Sequence, residues 1–141
     1  MGNINILIAD DHPSVRAGTR RILEEEDDLN VIAEAGDGQE AVAFTTDLKP
    51  DVAIIDIAMP ELDGIEVTRR IRALSPGTAV LIYTVLDDDE FIASSLEVGA
   101  DAYVLKSVRR SELIQAVRQV FNRRESLSGS LLWKVIDRFS S

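Results

Sequence analysis

The amino-acid sequence predicts an α/β fold, a doubly wound parallel sheet of five strands in the order 2-1-3-4-5. Three observations carry that expectation. Short β-branched runs alternate with segments of helical spacing, five of each. The runs are almost wholly apolar, as in Val52-Ala53-Ile54-Ile55, which suits strands covered on both faces. Turn and cap residues fall at the joints between them.

The elements follow in order. The first strand is Ile4–Ala9, and Pro13 opens a helix whose apolar face is Val15, Thr19, Ile22 and Leu23. Residues 30–35 form the second strand; Ala41, Thr45 and Leu48 share the next helix face, which Pro50 ends. Val52–Ile55 is the third strand. Asp63-Gly64 precedes a helix with Val67, Ile71 and Leu74 on one side, and Ser75-Pro76-Gly77 follows it. Ala79–Thr84 is the fourth. Asp87-Asp88-Asp89-Glu90 places negative charge at the next helix start, where the dipole favours it; Ile92 and Leu96 face the core, and Gly99 marks the stop. Ala102–Leu105 is the fifth, followed by a helix with Ser111 as the expected N-cap and Leu113, Val117, Val120 and Phe121 buried.

Composition narrows the function classes. The 141 residues suit one compact domain, expected over residues 1–122, with an extension over 123–141. In that extension residues 123–130 read as a linker, and Leu132, Val135, Ile136 and Phe139 fall on one face of a short helix. At 45% hydrophobic and 28% charged, the chain can form a packed core. It has no Cys, which excludes disulfides, thiolate metal sites and Cys nucleophiles and suits a reducing compartment. No apolar run approaches the ~18 residues of a membrane span. The opening residues read as neither a signal peptide nor a myristoylation site. The net charge is −10; residues 1–106 carry 8 basic and 22 acidic side chains, against 7 and 3 in residues 107–141. The acidic body repels nucleic acid, and the basic end reads as a solvated helix face and linker.

The chemistry lies where each apolar run stops. Asp10-Asp11 follow the first strand, Asp56 the third and Lys106 the fifth, while Thr84 ends the fourth. Carboxyl ends of parallel strands share one edge, and ligands bind there where the winding reverses, between strands 1 and 3. Asp10, Asp11 and Asp56 are expected to meet across that crevice, with Thr84 and Lys106 on its far side. Taken singly each is a turn former, strand former or solvated end; shared placement on one edge is what those readings leave unexplained. Two like charges 4 Å apart repel by about 4 kcal/mol at an effective dielectric near 20. A divalent cation offsets that, and an all-oxygen donor set with room for water favours Mg²⁺. A carboxylate between such a cation and a Lys is placed to be a nucleophile toward a phosphoryl group. His12 reads as a half-exposed residue at a helix start.

These residues resemble the receiver domain of bacterial two-component response regulators, a flavodoxin-like (CheY-like) fold. Ile6-Leu7-Ile8-Ala9-Asp10-Asp11-His12-Pro13 is similar to the family's acidic opening. The run from Asp56 through Ile57-Ala58-Met59-Pro60-Glu61-Leu62-Asp63-Gly64 is similar to its phosphoacceptor loop; Thr84, and Gly99-Ala100-Asp101-Ala102-Tyr103-Val104-Leu105-Lys106, match its switch residue and closing strand. The resemblance spans residues 4–121 in order, and the Asp-Asp-His-Pro opening points to the LuxR/NarL subfamily. It implies that Asp56 accepts a phosphoryl group from a sensor histidine kinase. It implies that Asp10 and Asp11 hold Mg²⁺ with Asp56 and the Ala58 carbonyl, that Lys106 pairs with the phosphoryl oxygens, and that Thr84 and Tyr103 are the switch pair. It further implies a homodimer on phosphorylation, a cytoplasmic location, no membrane contact, and no enzymatic turnover beyond self-phosphorylation and autodephosphorylation. DNA would be met only through a helix-turn-helix output domain beyond this stretch.

Several positions leave alternatives open. Tyr103 reads equally as an ordinary strand aromatic. Met59-Pro60 and Gly64 are expected to shape the loop, Gly64 by an unusual backbone angle. Ser107 stands where many receivers have a proline after a cis bond, and Ala58 has no side chain to shield or activate water. A haloacid-dehalogenase reading needs Asp where Ala58 stands. A flavodoxin-type phosphate loop is opposed by Asp10-Asp11. A stand-alone or degenerate receiver acting as a binding module is the remaining alternative.

Overall fold

The computed structural model describes residues 3–126 and 135–136. Strands and helices alternate: β1 (Ile4–Ala9), α1 (Pro13–Glu24), β2 (Leu29–Ala35), α2 (Gly38–Leu48), β3 (Val52–Ile55), α3 (Gly64–Leu74), β4 (Ala79–Thr84), α4 (Asp89–Glu97), β5 (Ala102–Leu105), α5 (Arg110–Ser126) and β6 (Val135–Ile136). The sheet runs β2-β1-β3-β4-β5-β6 with every neighbouring pair parallel. The expected 2-1-3-4-5 order is present, and four of the five expected strands have the expected ends.

Three expectations about the elements are corrected. Val135 and Ile136 are strand, not helix; they pair in register with Tyr103 and Val104. The outer side of β5 presents unpaired backbone groups, two β-branched residues suit a strand, and a nine-residue helix is marginal alone. Leu132, Phe139 and linker residues 127–130 lie outside the described residues. Residues 123–126 continue α5 instead of opening a linker, since none is Gly or Pro and Arg123 anchors the last turns by donating to the Asp101 carbonyl at 3.0 Å. Ser111 lies inside the first turn of α5. Arg109 occupies the cap position, its N–H donating to Glu112 Oε1 at 3.1 Å and its carbonyl accepting the N–H groups of Glu112 and Leu113.

The sheet separates two apolar layers. Alternation along β1 sends Ile4, Ile6 and Ile8 toward Leu23 of α1 and Leu113, Val117 and Val120 of α5, and sends Leu7 and Ala9 toward Ala41, Val67, Ile71 and Ile92 of α2 to α4. Every residue of β3, β4 and β5 is buried, and each large apolar side chain so placed contributes about 1.5–3 kcal/mol. Val15, Leu48 and Leu74, expected on core faces, are exposed. They sit in the first or last turn of their helices, where the apolar stripe runs past the layer it covers.

Caps set the loops at the sheet edge. Asp63 accepts from the N–H groups of Ile65 and Glu66, both at 3.0 Å, and starts α3. Gly99 has φ +103°, the left-handed stop expected after α4.

Candidate functional site

One backbone bond past the strand register fixes each polar residue at the carboxyl edge. The Asp10 N–H donates to the Ala35 carbonyl and the Asp56 N–H to the Ala9 carbonyl, both at 3.1 Å; the Lys106 N–H donates to the Thr84 carbonyl at 2.8 Å. The ladder thus carries three ionisable residues from separate loops to one place.

The side chains meet at Lys106. Its Nζ donates to Asp10 Oδ2 at 2.6 Å and to Asp56 Oδ2 at 2.9 Å, with both carboxylates 6% and the lysine 15% exposed. Lys106 therefore lies between the two carboxylates, not across the crevice from them. The ammonium stands where it neutralises both. The other oxygens of the pair are also engaged. Asp56 Oδ1 accepts from the Ala58 N–H at 3.1 Å, and Asp10 Oδ1 accepts from the His12 N–H at 2.9 Å. Burial pushes the Asp10 carboxyl up, but the bond from Lys106, then that from the His12 N–H, hold it below the ordinary range. Burial likewise lowers Lys106, yet its bonds to Asp10 and Asp56 carry its ammonium above the usual value. Both groups are ionised at neutral pH.

Asp11 differs from its neighbours. Its Oδ1 is buried and makes no hydrogen bond, although His12 Nδ1 stands 3.1 Å away. That nitrogen is also 3.3 Å from Asp10 Oδ1; His12 is the half-exposed residue at the start of α1 that the sequence predicts, its side chain 64% exposed, and its ring lies beside both acids. Asp10, Asp11 and His12 each offer one ligand atom within 4.8 Å of the others. An orphaned carboxylate oxygen beside a second carboxylate fits a hard divalent cation. Of the expected donors, Asp10 and Asp11 are together. Asp56 is joined to Asp10 through Lys106, and Ala58 meets Asp56 through its N–H.

The phosphoacceptor-like loop is shaped by packing. Met59 is buried in the core layer under α2 to α4, and Glu61 takes a left-handed φ of 66°. Gly64 does not have the unusual angle expected of it. Its role is close approach, since a Cβ there would fall against the Asp56 carbonyl oxygen, well inside contact distance. Every described peptide bond is trans, including Lys106–Ser107.

Thr84 and Tyr103 stand one strand further along. Thr84 is fully buried and Tyr103 is 1% exposed. The tyrosine ring packs with Ile55, Ile82 and Leu105 in the core layer, and its hydroxyl donates to the Leu86 carbonyl at 2.6 Å. Lys106 Nζ also lies 5.8 Å from the centre of the Tyr83 ring, whose phenol is pushed up by burial.

An acidic pair, a loop aspartate and a lysine on this sheet edge define a class of signalling fold, and comparison with known proteins gives its family. The response regulator receiver domain model matches residues 6–118, and the chain belongs to that family. It is 36% identical over 118 residues to the response regulator GacA of Pseudomonas aeruginosa, covering 84% of this chain and 55% of that protein. It is 37% identical over 136 residues to the transcriptional regulatory protein LiaR of Bacillus subtilis, covering 96% of this chain and 64% of that one. Among solved structures, the signal receiver domain of the response regulator NarL from Mycobacterium tuberculosis superimposes with a TM-score of 0.84 at 32% identity, over 86% of this chain and 98% of that one. The chain is thus the receiver domain of a two-component response regulator, and it spans a little over half the length of the curated relatives. No helix among the described residues is long and apolar enough to cross a membrane.

Proposed function

We propose that Asp56 accepts a phosphoryl group from a phosphohistidine on a sensor histidine kinase. The observation that carries this reading is the single ammonium of Lys106 shared by Asp10 and Asp56. An Asp56 carboxylate oxygen attacks phosphorus, the P–N bond to the kinase imidazole breaks, and its electron pair returns to that nitrogen. The Ala58 N–H, already on Asp56, and Lys106, free to shift from carboxylate to phosphoryl oxygen, stabilise the charge that gathers on the transferring group. Asp10 and Asp11, with Asp56 and the Ala58 carbonyl, would hold Mg²⁺, which supplies further neutralisation of phosphoryl charge. Phosphorylation adds a dianion beside Thr84, whose hydroxyl then turns to it and loosens the hold of Thr84 and Tyr103 on Leu86. That change would pass to α4, β5 and α5, promote a homodimer, and control a transcriptional helix-turn-helix output in the longer cytoplasmic regulator. The likeness to the transcriptional regulatory protein LiaR and to a LuxR-family response regulator from Aurantimonas supports that last step.

The test is intact mass after incubation with acetyl phosphate and Mg²⁺. The chain gains about 80 Da per phosphoryl group, and Asp56→Asn does not. A persistent adduct on Asp56→Asn moves the nucleophile elsewhere.

A further inference from the structure

The loop bearing Asp10 and Asp11 is gripped from behind by a cation on α1. Asp10 lies one residue past the register of β1 with both β2 and β3. Its carbonyl turns to α1, where Arg16 Nη1 donates to it at 2.6 Å. The Nε of the same guanidinium donates to Glu34 Oε1 at 3.0 Å, and Glu34 Oε2 accepts from Arg20 Nη1 at 2.6 Å. The Arg16 side chain is 19% exposed and that of Glu34 26%, so the pair is largely shielded. A half-buried ion pair is weak evidence for stability, and what this one does is hold the guanidinium against the Asp10 carbonyl.

The carbonyl held by Arg16 belongs to the peptide joining Asp10 to Asp11. Because that unit is planar, fixing its oxygen fixes the direction in which Asp11 leaves the sheet edge. Asp11 carries the buried carboxylate oxygen with no hydrogen-bond partner. A guanidinium can bind the carbonyl and Glu34 at once through its rigid fork, whereas an ammonium offers a point charge.

We propose that Arg16 and Glu34 are positioning residues for the Mg²⁺ site: their ion pair sets the plane of the Asp10–Asp11 peptide and so aims the Asp11 carboxylate at the cation. This rests on the proposed phosphoacceptor function above. Arg16 touches neither phosphodonor nor metal and acts only through that peptide.

The experiment measures Mg²⁺ affinity by calorimetry, and the rate of phosphorylation by acetyl phosphate against Mg²⁺ concentration, on the full chain. The variants are Arg16→Lys, Glu34→Ala and their combination. Arg16→Lys weakens Mg²⁺ binding by about tenfold, and Glu34→Ala weakens it less. The double variant binds no worse than Arg16→Lys, because both act through one peptide. In each variant the phosphorylation rate falls at low Mg²⁺ and returns at saturating Mg²⁺, a split that general loosening of the fold does not produce. Affinities within about twofold of the wild type for both single variants overturn the proposal, as does a rate loss that saturating Mg²⁺ leaves unrepaired. If Arg16→Lys fails to fold by circular dichroism, Glu34→Ala decides by the same criteria. A wild-type chain that binds no Mg²⁺ overturns the proposed Mg²⁺-dependent phosphoacceptor function and this inference with it, whereas a normal wild type with unaffected variants overturns this inference alone.

Discussion

Thr84 and Tyr103 grip the same residue from two sides. Thr84 Oγ1 accepts a long hydrogen bond, 3.4 Å, from the Leu86 N–H, and the Tyr103 hydroxyl donates to the Leu86 carbonyl at 2.6 Å. The two side chains come from neighbouring strands, β4 and β5, so the segment leading to α4 is tied to both. Tyr103→Phe removes the shorter bond and is expected to cost about 1 kcal/mol. Combined with Thr84→Val, the losses should fall short of additive in a double-mutant cycle read by urea unfolding. Fully additive losses would mean that Leu86 does not link the two.

Lys106 is the counter-charge of two buried carboxylates. Lys106→Met leaves Asp10 and Asp56 facing each other without it, and should cost about 2–4 kcal/mol at neutral pH in metal-free buffer. In the wild type, Asp10 titrates below its unfolded value, so its stabilising contribution is present above about pH 4 and is lost as pH falls through the lower folded value. The contribution of Lys106 is full below its unfolded value and is lost only as pH rises through its raised folded one. Without Lys106 the burial of Asp10 is unopposed by its largest favourable partner, its pKa rises, and the variant should gain stability on acidification toward pH 5. Urea midpoints at both pH values check this, and a variant with the wild-type midpoint and slope would refute it.

Mg²⁺ should raise the thermal midpoint by mass action, since the acidic constellation exists only in the folded chain. Asp11→Asn should blunt that rise while leaving the metal-free midpoint equal or higher, because it removes a carboxylate oxygen that has no hydrogen-bond partner. Differential scanning fluorimetry with and without millimolar Mg²⁺ measures both quantities. An undiminished Mg²⁺ response in Asp11→Asn would place the cation elsewhere.

Asp101, at the opposite end of β5, supplies a separate pH dependence. Its side chain is 14% exposed, and burial pushes its carboxyl up to about 6, against the opposing effects of the Val80 N–H it accepts and the nearby Arg123 charge. A raised carboxyl favours the protonated folded state, so this stability is full below about pH 4 and is lost as pH rises through about 6. Between about pH 5 and 7 the decline should amount to about 1–2 kcal/mol. Asp101→Asn keeps an acceptor for the Val80 N–H, which stands 2.8 Å from the native carboxylate, and should flatten the decline. An unchanged slope in the variant would assign it to another group.

The apolar runs and the first polar residue after each were legible in the sequence alone. Strand identity follows from side chains a few residues apart, and the parallel arrangement then places Asp10, Asp56, Thr84 and Lys106 on one edge whatever the details of packing. The sequence did not reveal which side chains touch. Lys106 settles between Asp10 and Asp56 although 96 and 50 residues separate them, and Arg16 reaches the Asp10 carbonyl from the second turn of a helix. Gly64 is required by a neighbouring carbonyl and not by its own backbone angle. Val135 and Ile136 become strand because an open sheet edge is there to receive them. Periodicity is a local property that the chain carries with it, whereas charge pairing, close approach and edge pairing depend on distances that exist only once remote segments have packed.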